Sequence, residues 1–224
     1  MTATVLLADD QRLIRAGLRM LLESTPDLTV VAEAADGVEA VRLAAEHRPD
    51  LVLMDLRMPG MDGATATAQI VTARPAAKIL VLTTFDDDEH LFPALAAGAC
   101  GYLVKDIEPD DLLIAIRRVI DGDVLLSPEL LRRVVDRAVS TAPPAVGATE
   151  AIDLTPREHD VLALVSEGYG NHEIAERLHL GVTTVKKHIV NLMAKSGCDN
   201  RVRLAVYAVR VRPPQPDQRT AKST

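Results

Sequence analysis

The sequence predicts two domains of different class: an α/β domain on a five-stranded parallel sheet, followed by an all-α domain. Three observations predict this. Over the first 125 residues, short β-rich apolar runs alternate with segments of helical period. From residue 154 to about 212 the apolar spacing is helical throughout. The charge also divides: residues 1–150 carry 14 Lys+Arg against 24 Asp+Glu, net −10, whereas residues 151–224 carry 11 against 8, net +3, with four of the six His. An acidic front and a mildly basic rear suggest two separate tasks, although +3 alone is weak evidence for nucleic acid.

The front elements follow in order. Strands are expected at 4–8, 28–34, 51–55, 79–83 and 101–104. Helical segments lie between them; Ile14, Leu18, Leu21 and Leu22 form one apolar stripe. Near-continuous apolar strands joined by helices indicate a parallel sheet covered on both faces. Five such units fit a flavodoxin-like order, with ligands expected at the carboxyl ends of the strands. One irregularity is Pro93, which falls where the fourth helix should be running. That helix is expected either to start late, near Leu91, or to kink, because an interior proline removes a hydrogen bond. The acids at 86–89 read as a helix N-terminus complementing the helix dipole.

Ser127-Pro128-Glu129 reads as a cap and first turn, opening a short helix to about residue 138. Residues 140–151 are small and Pro-containing, a linker. The domains therefore divide as 1–124, a short helix and linker over 125–151, 152–212, and a Pro-rich polar tail over 213–224 for which disorder is expected. No run is long and uncharged enough for a membrane span. Asp9 and Asp10 stand where a signal peptide needs its apolar core. With only Cys100 and Cys198, far apart in sequence, the expectation is a cytoplasmic protein without a disulfide framework.

Asp9 and Asp10 end the first strand, Asp55 the third and Thr83 the fourth, and Lys105 follows the fifth. Strand ends on one edge of a parallel sheet converge on a single crevice. Alternation would send Asp9 and Asp10 to opposite faces, so both reach the crevice only if the strand gives way to loop there. Three carboxylates together repel, and a hard divalent cation such as Mg²⁺ relieves that repulsion. A metal-neutralised Asp can then attack phosphorus, with Lys105 pairing with the phosphoryl charge and Thr83 donating to it. Taken singly, each residue has a bland reading: a loop cap for the Asp, a β-former for Thr83, a turn for Met58-Pro59-Gly60. The combination at four of five strand ends favours the chemical one.

Ala8-Asp9-Asp10, Leu53-Met54-Asp55-Leu56-Arg57-Met58-Pro59-Gly60, Leu82-Thr83-Thr84 and Gly101-Tyr102-Leu103-Val104-Lys105 closely resemble the receiver domain of response regulators. The resemblance implies Asp55 as phosphoacceptor, Asp9 and Asp10 as Mg²⁺-site acids, and the Arg57 backbone carbonyl as a further ligand. It also implies Thr83 as switch hydroxyl, Lys105 as phosphate contact and Tyr102 as an aromatic that changes rotamer.

In the rear domain, Thr155-Pro156-Arg157-Glu158 is a capping-box helix start, ended by Gly168. A second helix runs from Asn171 to about Leu178 and a third from Thr183 to about Ser196. Val182, Val185, Ile189 and Leu192 form the buried stripe of the third, leaving Thr183, Thr184, Lys186, Lys187, Val190 and Asn191 opposite. Two helices joined by a tight turn suit the major groove, and Lys187 and Asn191 share a face from which Lys reaches guanine or phosphate and Asn reaches adenine. Spacing alone leaves open an ordinary helical domain with a solvated Lys pair. His188 lacks a partner at zinc-like spacing and reads as a phosphate contact or plain surface.

Leu154-Thr155-Pro156-Arg157-Glu158, Asn171-His172-Glu173-Ile174-Ala175 and Thr184-Val185-Lys186-Lys187-His188 resemble the LuxR-type helix-turn-helix of NarL/FixJ regulators. The two resemblances cover nearly the whole chain. They imply a DNA-binding transcription regulator rather than an enzyme, phosphorylated by a sensor histidine kinase, dimeric when phosphorylated, and bound to promoter DNA, with RNA polymerase as a candidate further partner. DNA contacts are expected from Asn171, Thr183, Thr184, Lys186, Lys187, His188 and Asn191, and dimer contacts from Val202, Val206 and Tyr207. The competing reading is a phosphatase with an Asp nucleophile of the haloacid-dehalogenase type; that class wants a second Asp two residues on, where this chain has Arg57.

Overall fold

The structure is a computed structural model that describes residues 2–84, 88–126, 130, 133, 152–198 and 200–211, with 88–90 as backbone only. The expected linker at 140–151 and tail at 213–224 lie outside the described residues, as does most of the expected helix at 127–138.

The front domain runs β1 (Ala3–Ala8), α1 (Arg12–Glu23), β2 (Leu28–Ala34), α2 (Gly37–His47), β3 (Leu51–Met54), α3 (Gly63–Ala73), β4 (Ile79–Thr83), α4 (Asp88–Ala97), β5 (Gly101–Val104) and α5 (Pro109–Ile120). All strand pairs are parallel, in the order β2-β1-β3-β4-β5. This is the expected flavodoxin-like sheet, whose order reverses between β1 and β3, and the crevice of such a sheet opens at that switch point. The strands alternate between two cores. Val5, Leu7, Leu51, Leu53 and Leu80 face Leu22 of α1 and Leu112, Ile116 and Val119 of α5. Leu6, Ala8, Val52, Met54, Ile79 and Val81 face α2, α3 and α4 through Leu43, Ile70 and Leu95. Burial on both faces is why these strands read as unbroken apolar runs.

Helix α4 begins at Asp88, so the late start near Leu91 is not what the chain adopts; Pro93 stands inside the helix. The missing N–H costs one ladder bond, and buried Leu91, Phe92, Ala94 and Leu95 hold the helix against the sheet on either side of it. After α5 the chain returns to the sheet. Leu125 forms an isolated parallel bridge with Gly101, donating its N–H to Cys100 and accepting from Tyr102.

The rear domain consists, among the described residues, of α6 (Pro156–Ser166), α7 (Asn171–Leu178), α8 (Val182–Ser196) and α9 (Arg201–Val211). The capping box at Thr155 forms as expected: Glu158 N–H donates to Thr155 Oγ1 at 3.3 Å, and Thr155 N–H donates to Glu158 Oε2 at 2.9 Å. Val161, Leu162, Val165, Ile174, Ala175, Val185, Ile189, Leu192, Leu204 and Ala205 fill its core. No described helix is long and apolar enough to cross a membrane.

Candidate functional site

The acidic site lies where the sheet order reverses. β1 stops at Ala8 and β3 at Met54, so Asp9, Asp10 and Asp55 stand on loop rather than strand. That release from alternation brings both Asp9 and Asp10 to the crevice. One carboxylate oxygen from each of Asp9, Asp10 and Asp55 lies within 4.8 Å of the others, with Asp9 and Asp55 buried and Asp10 exposed. Lys105 Nζ is 2.7 Å from Asp9 Oδ2 and donates to Asp55 Oδ2 at 2.7 Å. The Lys105 N–H donates to the Thr83 carbonyl at 2.8 Å, which fixes this side chain to the end of β4. Thr83 itself is buried at the last position of that strand. Arg57 N–H reaches Asp55 Oδ1 at 3.4 Å. Tyr102 is half-buried on β5, paired with Val81.

The backbone around Asp55 is drawn tight. The Gly63 N–H donates to the Leu56 carbonyl at 2.9 Å. A Cβ on Gly63 would run into the Asp55 carbonyl oxygen and come within 2.9 Å of the Leu56 Cα, so only glycine lets α3 begin this close to the acid. Asp62 caps that helix, accepting from the Thr65 N–H at 2.7 Å. Sequence reasoning missed Arg15, whose guanidinium donates to the Asp9 carbonyl at 2.5 Å and pairs with Glu33 at 3.4 Å. It braces the loop carrying both acids, but a contact from α1 to a neighbouring strand leaves no periodic trace.

Burial pushes the Asp55 carboxyl above its ordinary range; Lys105 pulls it back and the charge of Asp9 pushes it up again. Burial works against the Lys105 ammonium too, but its hydrogen bonds to Asp55 and Asp9 outweigh that and hold it above its usual value. The two directions together mean that one ammonium does not fully compensate two buried carboxylates and a third nearby. The donor set, all oxygen and in excess of negative charge, fits a hard divalent cation.

On α8, Thr183, Thr184, Lys187, Val190 and Asn191 are exposed, whereas Val185, Ile189 and Leu192 are buried. The expected polar face is therefore present, with His188 half-buried at its margin. Lys186 departs from it: its ammonium donates to the Asp121 carbonyl of the front domain. Asn171 departs further. It is 2% exposed, donates to the Gly122 carbonyl at 2.9 Å, and accepts from Arg201 at 2.7 Å. In this arrangement it is closed off from DNA. Two of the three expected dimer contacts are buried within the chain. Val202 and Tyr207 are 3% and 9% exposed, because α9 packs that side against α6 and α8. The outer side of α9 is instead Arg203, Val209 and Arg210, with Val206 at the margin.

The comparisons with known proteins agree in both halves. Residues 5–117 match the response regulator receiver domain, and residues 153–208 match the bacterial regulatory proteins of the luxR family. The oxygen regulatory protein NreC of Staphylococcus aureus is 41% identical over 209 residues, covering 92% of this chain and 96% of the relative. Among solved structures, the response regulator ChrA of a heme-sensing two-component system is 35% identical over 93% of this chain and 96% of its own, with a TM-score of 0.50. RcsB, solved as two dimers bound to two parallel DNAs, is 27% identical over 95% of this chain and all of its own, with a TM-score of 0.52.

Proposed function

This chain belongs to the two-component response regulators of the NarL/FixJ type, transcription regulators with a receiver and a LuxR-type DNA-binding domain, and on that footing we propose that its switch is phosphorylation of Asp55. The observation that carries the reading is the meeting of Asp9, Asp55 and Lys105 within ion-pair distance at the switch point of the sheet. A sensor histidine kinase supplies the phosphoryl group, and an Asp55 carboxylate oxygen attacks phosphorus as the bond to the kinase breaks. Asp9, Asp10, Asp55 and the Arg57 carbonyl are the groups that would hold Mg²⁺, which when bound offsets carboxylate and phosphoryl charge. Lys105, already between Asp9 and Asp55, moves its pairing to the phosphoryl oxygens. The Thr83 hydroxyl donates to the same group, and Tyr102 takes the space that Thr83 leaves. This is a two-state element biased by local charge.

The output is transcription control through promoter DNA. Thr183, Thr184, Lys187 and Asn191 are the base- and phosphate-facing candidates, joined by Lys186, His188 and Asn171 when α7 and α8 are free of the front domain. The phosphorylated form is a homodimer, as RcsB on DNA is dimeric, with RNA polymerase a candidate partner on the promoter and the cytoplasm as the place of action. The functional units are 1–124 and 152–212, joined by 125–151 and followed by a tail at 213–224.

Asp55→Asn tests the centre of this reading. With a small phosphodonor and Mg²⁺, the wild-type chain takes up one phosphoryl group by intact-mass measurement and the variant takes up none. Undiminished uptake by the variant would move the acceptor elsewhere.

A further inference from the structure

Helix α8 carries one side chain that its surroundings do not account for. Thr183, Lys187, Val190 and Ala194 recur at spacings of four, three and four, so they form a single stripe on the helix. All four are exposed, whereas Val185, Ile189 and Leu192 form the buried side. Val185 is fully buried, as expected of a valine in a packed helix, but Val190 is 59% exposed. Among the described residues of the helical domain, only Val209 on α9 is another large apolar side chain standing open, and it is 40% exposed.

A lone exposed valine needs no function in itself. Two observations set this one apart. The folded chain gains little from it, because a β-branched residue is a poorer helix former than Ala or Lys at an open position inside a helix. Packing between the domains does not use it up either. The polar groups on that side are engaged: Lys186 with the Asp121 carbonyl, Asn171 with the Gly122 carbonyl, and His172 with Asp123 Oδ2 at 3.6 Å. Val190 borders the cavity of about 310 Å³ beside them, yet more than half of it stays open to solvent.

We propose that Val190 is an apolar base-reading residue whose methyl groups pack on the 5-methyl of a thymine in the major groove. The 5-methyl of thymine is the apolar group among the base edges there, and the other edges offer hydrogen-bond donors and acceptors. A valine can neither donate nor accept. Set against the cytosine amine or the guanine oxygen, it would strip water from that group and return nothing. It therefore favours thymine both by contact and by penalising the alternatives. Lys187, three positions earlier, and Asn191, the next residue, flank it with groups that suit guanine and adenine. Val190 stands about 4.5 Å along the helix axis from Lys187, against a base step of about 3.4 Å. The thymine is thus expected within one or two steps of the Lys187 contact.

The proposal rests on the reading that α8 meets DNA and adds one base to it; the test separates the two. The phosphorylated full chain is used to select a duplex from a random-sequence pool. Each thymine of that duplex is then replaced singly by deoxyuridine, which removes only the 5-methyl. For the wild-type chain, one thymine in each half-site should cost about fourfold in affinity when replaced, the worth of one buried methyl. Val190→Ala should bind the parent duplex about fourfold more weakly and be indifferent to that replacement, the non-additivity expected of a direct contact. The substitution is at an exposed position and favours the helix, so the variant keeps its fold. If Val190→Ala and the wild-type chain respond alike to deoxyuridine at every position, while Lys187→Ala still weakens binding, the thymine contact is overturned and the DNA-facing assignment of α8 stands. If neither Val190→Ala nor Lys187→Ala alters affinity, both fall.

Discussion

Burial and Asp9 raise the Asp55 carboxyl while Lys105 opposes them, so the ionised nucleophile is the state that needs outside help. Mg²⁺ at a hundredfold excess over its dissociation constant should add about 2.7 kcal/mol of stability, seen as a rise in Tm. Asp10→Ala, which removes an exposed side chain and leaves the Lys105 pairs in place, should fold normally and lose that rise. An equal metal-dependent shift in the variant would take Asp10 out of the site. Glu158 behaves in the opposite sense. Its hydrogen bond from Lys195 at 2.7 Å, followed by that from the Thr155 N–H, lowers its carboxyl from 4.5 to about 2. A lowered carboxyl contributes stability above its unfolded value and loses it as the pH falls through the folded one. The helical domain should therefore weaken between about pH 4.5 and pH 2. Glu158→Gln should flatten that window in a denaturant midpoint measured against pH; an unchanged slope would show that other acids govern it.

At the scale of elements, the close start of α3 on Asp55 makes Gly63 a structural part of the acidic site. Gly63→Ala should cost about 1–3 kcal/mol from overpacking and slow phosphoryl uptake, because the displaced group is the backbone of Asp55 itself. In α4, Pro93→Ala restores one ladder bond and should raise the unfolding free energy by about 1 kcal/mol or more, read from the denaturant midpoint. On α8, Lys187→Ala should weaken DNA binding and reduce the salt slope by about one; normal affinity with a normal slope would place this residue away from the duplex. Much of this was legible beforehand for a physical reason. Strands buried on both faces have no choice but to be apolar, and the acids at their ends mark where the sheet stops. The front acids and Lys105 were therefore placed correctly from spacing, and the capping box named the first residue of α6. What was not legible was long-range and aperiodic. Arg48 and His179 end their helices with positive φ, a conformation that Gly or Asn would have signalled. Asn171 and Lys186 stand on the right helices, yet their partners lie 49 and 65 residues earlier in the chain. Val202 and Tyr207 were assigned to a surface that the packing of α9 uses up.

For the whole molecule, the two reactions belong to separate domains, and the expected link is association. Phosphorylation should convert monomers to dimers in sedimentation velocity, and identical profiles for both forms would remove dimerisation from the pathway. The short return of the chain after α5 matters here. Leu125 is stitched into the edge of the sheet, accepting from the N–H of Tyr102, only two positions beyond Asp123. Main-chain hydrogen bonds thereby tie the fifth strand to the segment that carries Asp123, as a short crank joins a bolt.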